Sequence, residues 1–167
     1  MTRVNGEDAR AGEARWLNDD ERAAWLSVMA VILKLPAALD SQLTRSAGLT
    51  LFEYLLLARL SEQPERRLRM STLAALTNGS LSRLSHVADR LEKRGLLYRE
   101  RDPENGRKMM AILTPEGYDL VVRAAPGHVE AVRELFLDAL SPVQLRALRD
   151  AGEHVLGRLG TGSRWPP

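Results

Sequence analysis

Ser80, Ser82, Arg83, Ser85 and His86 stand close together in the chain, and Arg90 and Lys93 follow within two helical turns. Such a row offers an anionic polymer two kinds of contact. Hydroxyls are small donors that approach phosphate oxygens closely, and a guanidinium is a planar fork that can bond two acceptors of a guanine edge. A second basic pair, Arg107 and Lys108, comes just after the turn Asp102-Pro103-Glu104-Asn105-Gly106. Other chemistry finds little support. The sequence has no Gly-rich phosphate loop with a lysine, no H-E-x-x-H and no G-x-S-x-G. His86, His128 and His154 show no local metal spacing, so neither metal nor cofactor is expected, although distant Asp, Glu and His residues could still gather in a fold. With no cysteine at all, disulfides, thiolate metal sites and thiol nucleophiles are excluded, and so is a peroxide switch through a cysteine thiol. The expectation is a binding protein and not an enzyme.

Charge points the same way. The chain carries 24 basic and 22 acidic residues, a net of +2, and 21 of the basic residues are arginine. From Arg66 to Lys108 there are 11 basic and 5 acidic residues, while the remainder is net acidic. A basic middle between acidic ends suits a nucleic-acid partner, since phosphate neutralisation supplies most non-specific affinity. A solvated arginine-rich surface is the bland alternative. The length of 167 residues fits one domain, or a small one with long flanking helices, and 44% hydrophobic with 28% charged residues is ordinary for a globular protein. No continuous apolar run approaches the ~20 residues of a membrane helix, and no signal-like stretch opens the chain. The expected location is cytoplasmic, with no membrane partner.

The elements that must position these residues are legible from caps and periodicity. Residues 1–15 are polar and read as a frayed tail. Asn18 with Glu21 three positions on is a helix start, and Trp25, Val28, Met29, Ile32, Leu35, Leu39 and Leu43 mark one face of a long helix that Pro36 should kink and Gly48 should end. Thr50-Leu51-Phe52-Glu53 is a capping box before an apolar helix reaching Leu60. Pro64 to Arg69 reads as a charged turn, Ser71 as the cap of a two-turn helix, and Thr77-Asn78-Gly79 as a turn. Ser80 caps a fourth helix that stops at Gly95, with Leu84, Val87, Ala88 and Leu91 on its apolar face. Leu96–Arg101 and Lys108–Leu113 are strand-like runs joined by a turn containing Asn-Gly, a hairpin signal. Thr114-Pro115-Glu116 opens a long helix expected to reach Ala139 with stress at Pro126-Gly127, and Ser141 opens the last one.

Two short helices across a tight turn, then a hairpin, form a winged helix-turn-helix. The fold class is mainly α with a small β-hairpin and long flanking helices, and the fourth helix is the one to enter a major groove. The segments "SLSRLSHVADRLEKRGLL" and "RERDPENGRKMMAILTPEG" resemble the recognition helix and wing of the MarR family of transcriptional regulators, and "GLTLFEYLLLARL" is similar to the family's second helix. The resemblance implies that Ser80, Ser82, Arg83, Ser85 and His86 line the groove-facing side, with Arg90 nearer the backbone and Arg107 and Lys108 at the wing. His86 replaces an arginine common in relatives. Asn105 stands where many relatives carry an acid that pairs with the wing arginine, leaving Asp102 as the nearest substitute. The family further implies a homodimer through the first, fifth and sixth helices, a palindromic double-stranded DNA site, and a small aromatic or anionic effector. Trp25, Met29, Tyr54 and Leu55 could line its pocket, though apolar residues at helical spacing more often form plain core. The expected divisions are residues 16–47 and 116–160 for dimerisation, 48–115 for DNA, and 161–167 as a tail. Two functions stand: a dimeric repressor of a palindromic operator relieved by a ligand, and a winged-helix protein-interaction module without operator binding.

Overall fold

The structure, a computed structural model, describes residues 14–77, 79–102 and 105–160. Nearly all of the expected N-terminal tail, the whole 161–167 tail, Asn78 of the expected turn, and Pro103 and Glu104 of the wing lie outside the described residues. The chain divides into two compact units, Met1–Lys34 and Leu35–Pro167, and the first helix contributes to both.

Among the described residues, six α-helices and three strands follow in chain order. They are α1 (Asp19–Ala47), α2 (Leu51–Ser61), β1 (Arg67–Arg69), α3 (Met70–Leu76), α4 (Leu81–Lys93), β2 (Leu97–Arg101), β3 (Met109–Leu113), α5 (Pro115–Leu135) and α6 (Pro142–Arg158). Local chemistry sets most starts. Before α1, Asn18 Oδ1 accepts the Glu21 N–H at 2.8 Å while the Glu21 carboxylate accepts the Asn18 N–H at 2.9 Å. Thr50 with Glu53 and Ser141 with Gln144 form reciprocal capping boxes, and the Thr114 hydroxyl accepts the Gly117 N–H. Gly48 and Gly95 end α1 and α4 with φ of +63° and +69°, the left-handed region that a β-carbon disfavours.

The second unit holds the core. Leu43, Leu49, Leu56, Leu57, Leu60, Leu73, Leu84, Leu91 and Leu97 are fully buried. Each such side chain withdraws enough apolar surface from water to stabilise the fold by about 1.5–3 kcal/mol. The sheet is antiparallel in the order β1-β3-β2, with Leu97 opposite Leu113, Arg101 opposite Met109, and Leu68 opposite Ala111. At the root of the hairpin Gly117 is packed so closely that a β-carbon there would lie 2.0 Å from the Leu96 carbonyl oxygen. Only glycine fits.

Four expectations are corrected. The segment expected to be a charged turn ends in β1, an edge strand: Leu68 packs against the core while Arg67 reaches Glu100 at 3.4 Å and Arg69 reaches Asp102 at 3.3 Å. An Arg-Leu-Arg triplet is too short to announce a strand, and the free edge of β3 creates it. Because β1 runs straight into α3, that helix starts at Met70 after an extended Arg69, and Ser71 lies inside it without capping it. α5 passes through Pro126 but stops at Leu135, and Leu137–Ala139 form a separate 3-10 turn. Finally, α1 is long and apolar enough to cross a bilayer by length and composition. Lys34 breaks the continuous run without offsetting the surrounding Leu, Val and Ile residues.

Candidate nucleic-acid interface

α4 separates its side chains by the helical period. Leu84, Val87, Ala88 and Leu91 are buried, whereas Ser80, Ser82, Arg83, His86 and Arg90 are exposed and Ser85 is half-buried. Ser80 holds the helix start, its hydroxyl oxygen accepting the Arg83 N–H at 3.2 Å. That hydroxyl can still donate outward, which is what a phosphate oxygen requires.

The two arginines of this face are anchored by α2. The Arg83 guanidinium lies over the Phe52 ring, 4.6 Å from its centroid. Arg90 donates from Nε and Nη2 to Glu53 Oε1 at 3.3 and 3.1 Å. Glu53 is buried, and burial alone would raise its carboxyl. Hydrogen bonds from the Thr50 backbone, from Arg90 and from the Thr50 side chain outweigh that effect and hold it below its ordinary value of 4.5. Asp40 of α1 ties in the same turn by accepting the Leu51 N–H at 2.8 Å. Between these groups opens a cavity of about 550 Å³, lined by Asp40, Thr50 and Phe52 on one side and Ser80, Arg83 and Arg90 on the other.

The wing contributes on the other flank of α4. Arg107 and Lys108 are both exposed, and they share a cavity of about 360 Å³ with Ser71, Leu81 and Ser85. The loop is closed by its own hydrogen bonds. Arg101 Nη1 donates to the Gly106 carbonyl at 2.9 Å, and the Asp102 N–H donates to the Lys108 carbonyl at 2.9 Å. Asn105 Oδ1 accepts the backbone N–H of Arg107 at 3.4 Å, so this residue shapes the turn. Asp102 is buried and accepts from Arg69 Nε, which fastens the wing root to β1. Arg99 joins β2 to α4 through 2.6 Å contacts to Asp89 and Glu92.

This geometry brings Ser80, Ser82, Arg83, Ser85, His86, Arg90, Arg107 and Lys108 onto α4 and the adjoining wing. The four residues considered for a pocket are differently disposed. Trp25 is exposed and Met29 half-buried on the first part of α1; on α2, Leu55 packs against the core and Tyr54 is buried in it. Tyr54 meets the His128 ring at 4.6 Å between centroids.

The sequence profile of the MarR family matches residues 49–109, the span from the start of α2 to the wing. A MarR family transcriptional regulator of Streptomyces coelicolor, solved in complex with DNA, is 44% identical with a TM-score of 0.85, and the match covers 89% of this chain and 92% of that one. The chain belongs to the MarR family. A second member from the same organism, AbsC, is 38% identical with a TM-score of 0.84, over 87% of this chain and 98% of its own. The uncharacterized HTH-type regulator YkoM of Bacillus subtilis is 30% identical over 95 residues, which is 54% of this chain and 59% of YkoM. The chain thus spans less than two thirds of that relative's length. The MarR fold accounts for the winged helix-turn-helix and its long flanking helices, both expected from the sequence. Phe52, Glu53, Arg69 and Arg99 are the residues that sequence reasoning missed. The capping box marked Glu53, but nothing local marked its bond to Arg90.

Proposed function

We propose that the chain is a homodimeric, cytoplasmic repressor that reads a palindromic operator, with α4 in the major groove and the wing on the flanking minor groove. One observation carries the reading. Ser85 of α4 and Arg107 and Lys108 of the wing line a single cavity, so the reading helix and the two wing cations border one recess and can engage one ligand together. The DNA complex of the Streptomyces relative supports the same partner for this chain. In this reading Ser80, Ser82 and Ser85 contact phosphates, Arg83 and His86 meet base edges, Arg90 lies near the backbone, and Arg107 enters the minor groove. A palindrome follows from two-fold symmetry, which sets two copies of α4 about one DNA turn apart. Apolar side chains left open on α1, α5 and α6, among them Ile32, Val129, Leu148 and Val155, support a second copy as their cover. The DNA-bound Streptomyces relative, matched over 89% of this chain, supports that cover over lipid for α1. Release by a small aromatic or anionic effector belongs to the same proposal.

The test is selection of bound duplexes from random or genomic DNA, followed by affinity against salt concentration. A recovered palindrome with a steep salt slope is expected. Salt-insensitive binding with no recovered sequence would favour the protein-interaction module.

A further inference from the structure

We propose that Phe52 and Glu53, side by side on the first turn of α2, are positioning residues for DNA reading, and that Phe52 shapes base preference through Arg83 without touching a base. The inference rests on α4 being the DNA-reading helix. Arg83 and Arg90 are seven residues apart, two turns, and so lie on one stripe of α4. Long cationic side chains on an open helix face have many rotamers, and a base contact requires one of them. Here each has a fixed partner on the same facing turn. The guanidinium of Arg83 lies 4.6 Å above the Phe52 ring centroid, well within the ~6 Å range of attraction between a cation and an aromatic face. Arg90 is held by two bonds to one buried carboxylate oxygen of Glu53.

The ring is itself seated. Phe52 is half-buried against the core, and Gly79, just before the α4 cap, leaves room for it. A β-carbon at Gly79 would lie 3.2 Å from Phe52 Cζ and 3.5 Å from Cε2, so the ring occupies space that a side chain there would need. The turn beneath is also fixed, by the Thr50–Glu53 capping box and by Asp40 of α1 on the Leu51 N–H. A seated ring and a capped carboxylate thus hold the two arginines in direct contact, and Phe52, Arg83 and Arg90 all border the 550 Å³ cavity. Phe52 is a specificity residue at one remove.

The experiment selects duplexes from a random library with the full-length chain and with Arg83→Ala, Phe52→Leu, Phe52→Trp, Gly79→Ala and Glu53→Gln. Arg83→Ala should flatten the base preference at one position of each half-site. Phe52→Leu keeps apolar volume but removes the π face, so it should flatten the same position and weaken the preferred duplex about two- to five-fold. Phe52→Trp should retain the preference. In an Arg83→Ala background Phe52→Leu should cost nothing more. Glu53→Gln should weaken all sequences alike, since its partner Arg90 lies nearer the backbone. An unchanged base profile for Phe52→Leu beside a flattened one for Arg83→Ala overturns the proposal and leaves α4 as the reading helix. An unchanged profile for Arg83→Ala overturns that underlying reading instead. If Phe52→Leu loses its helical signal, Gly79→Ala decides, because it displaces the ring by a few tenths of an ångström and leaves both partners intact. Equal effects of Gly79→Ala with and without Arg83 overturn the proposal.

Discussion

Arg83 and Arg107 are both exposed cations, yet their settings predict different losses. In the proposed reading Arg83, in the first half of α4, meets a base edge, so Arg83→Ala should cost about 1–3 kcal/mol on the preferred site and little on scrambled DNA. Arg107 stands at the wing tip, where groove potential matters more than a base code. Arg107→Ala should therefore weaken binding to every duplex and flatten its salt slope, as titrations at several salt concentrations would reveal. His128 gives a pH prediction. Burial holds its imidazole below the ordinary value of 6.5, and its Nδ1 has no hydrogen-bond partner among the described residues. The folded state thus disfavours the proton more than the unfolded chain does. Stability should fall as pH drops from 6.5 through the lowered folded value, and it should be insensitive above 6.5. Urea melts at pH 7.5 and 5.5 test this against His128→Phe, which keeps a ring beside Tyr54 and should lose that part of the dependence. The exposed residues of α4 were legible in the sequence because the helical period separates them from Leu84, Val87 and Leu91. Phe52 and Glu53 were not, because their partners lie more than thirty positions away in the chain.

At the scale of elements, what depends on neighbours in sequence could be read directly. The boxes at Thr50–Glu53 and Ser141–Gln144 and the cap at Thr114 involve residues three apart, and each starts a helix where its chemistry requires. The hairpin was visible through Asn105-Gly106 between two strand-like runs. β1 was hidden because an edge strand of three residues draws its definition from β3, and α3 lost its expected Ser71 cap for the same reason. The end of α5 was equally hidden, since Phe136 and Ala139 continue the apolar spacing after the helix has stopped. The joint between the hairpin and α5 gives the sharpest test of packing. A β-carbon at Gly117 would collide with the Leu96 backbone, so Gly117→Ala must force β2 and α5 apart. Overpacking of this kind costs about 1–3 kcal/mol. A thermal melt should show a clear drop in midpoint; an unchanged midpoint would mean that the joint is looser than its geometry indicates.

The whole molecule carries far more helix than one DNA-reading unit requires. No side chain of α6 is fully buried, and Val143, Leu148, Val155 and Leu159 are open to solvent. Leu148, Val155 and Leu159 share one side of the helix, which in the proposed reading a second copy of the chain covers. Removing residues from Ser141 onward should give a monomer by sedimentation and a marked loss of operator affinity, because two tethered half-site readers gain through effective concentration. None of the residues proposed to contact DNA lies in that deletion. A truncated monomer with full affinity would refute the dimer. The central claim is that the chain reads duplex DNA with α4 and the wing together. Its most direct test is the affinity of the intact chain for its selected duplex and for a scrambled one, titrated across salt concentration. The predicted result is a steep loss with salt on both duplexes and a preference for the selected one that Arg83→Ala reduces. Affinity independent of salt, or a preference that survives Arg83→Ala undiminished, would contradict it.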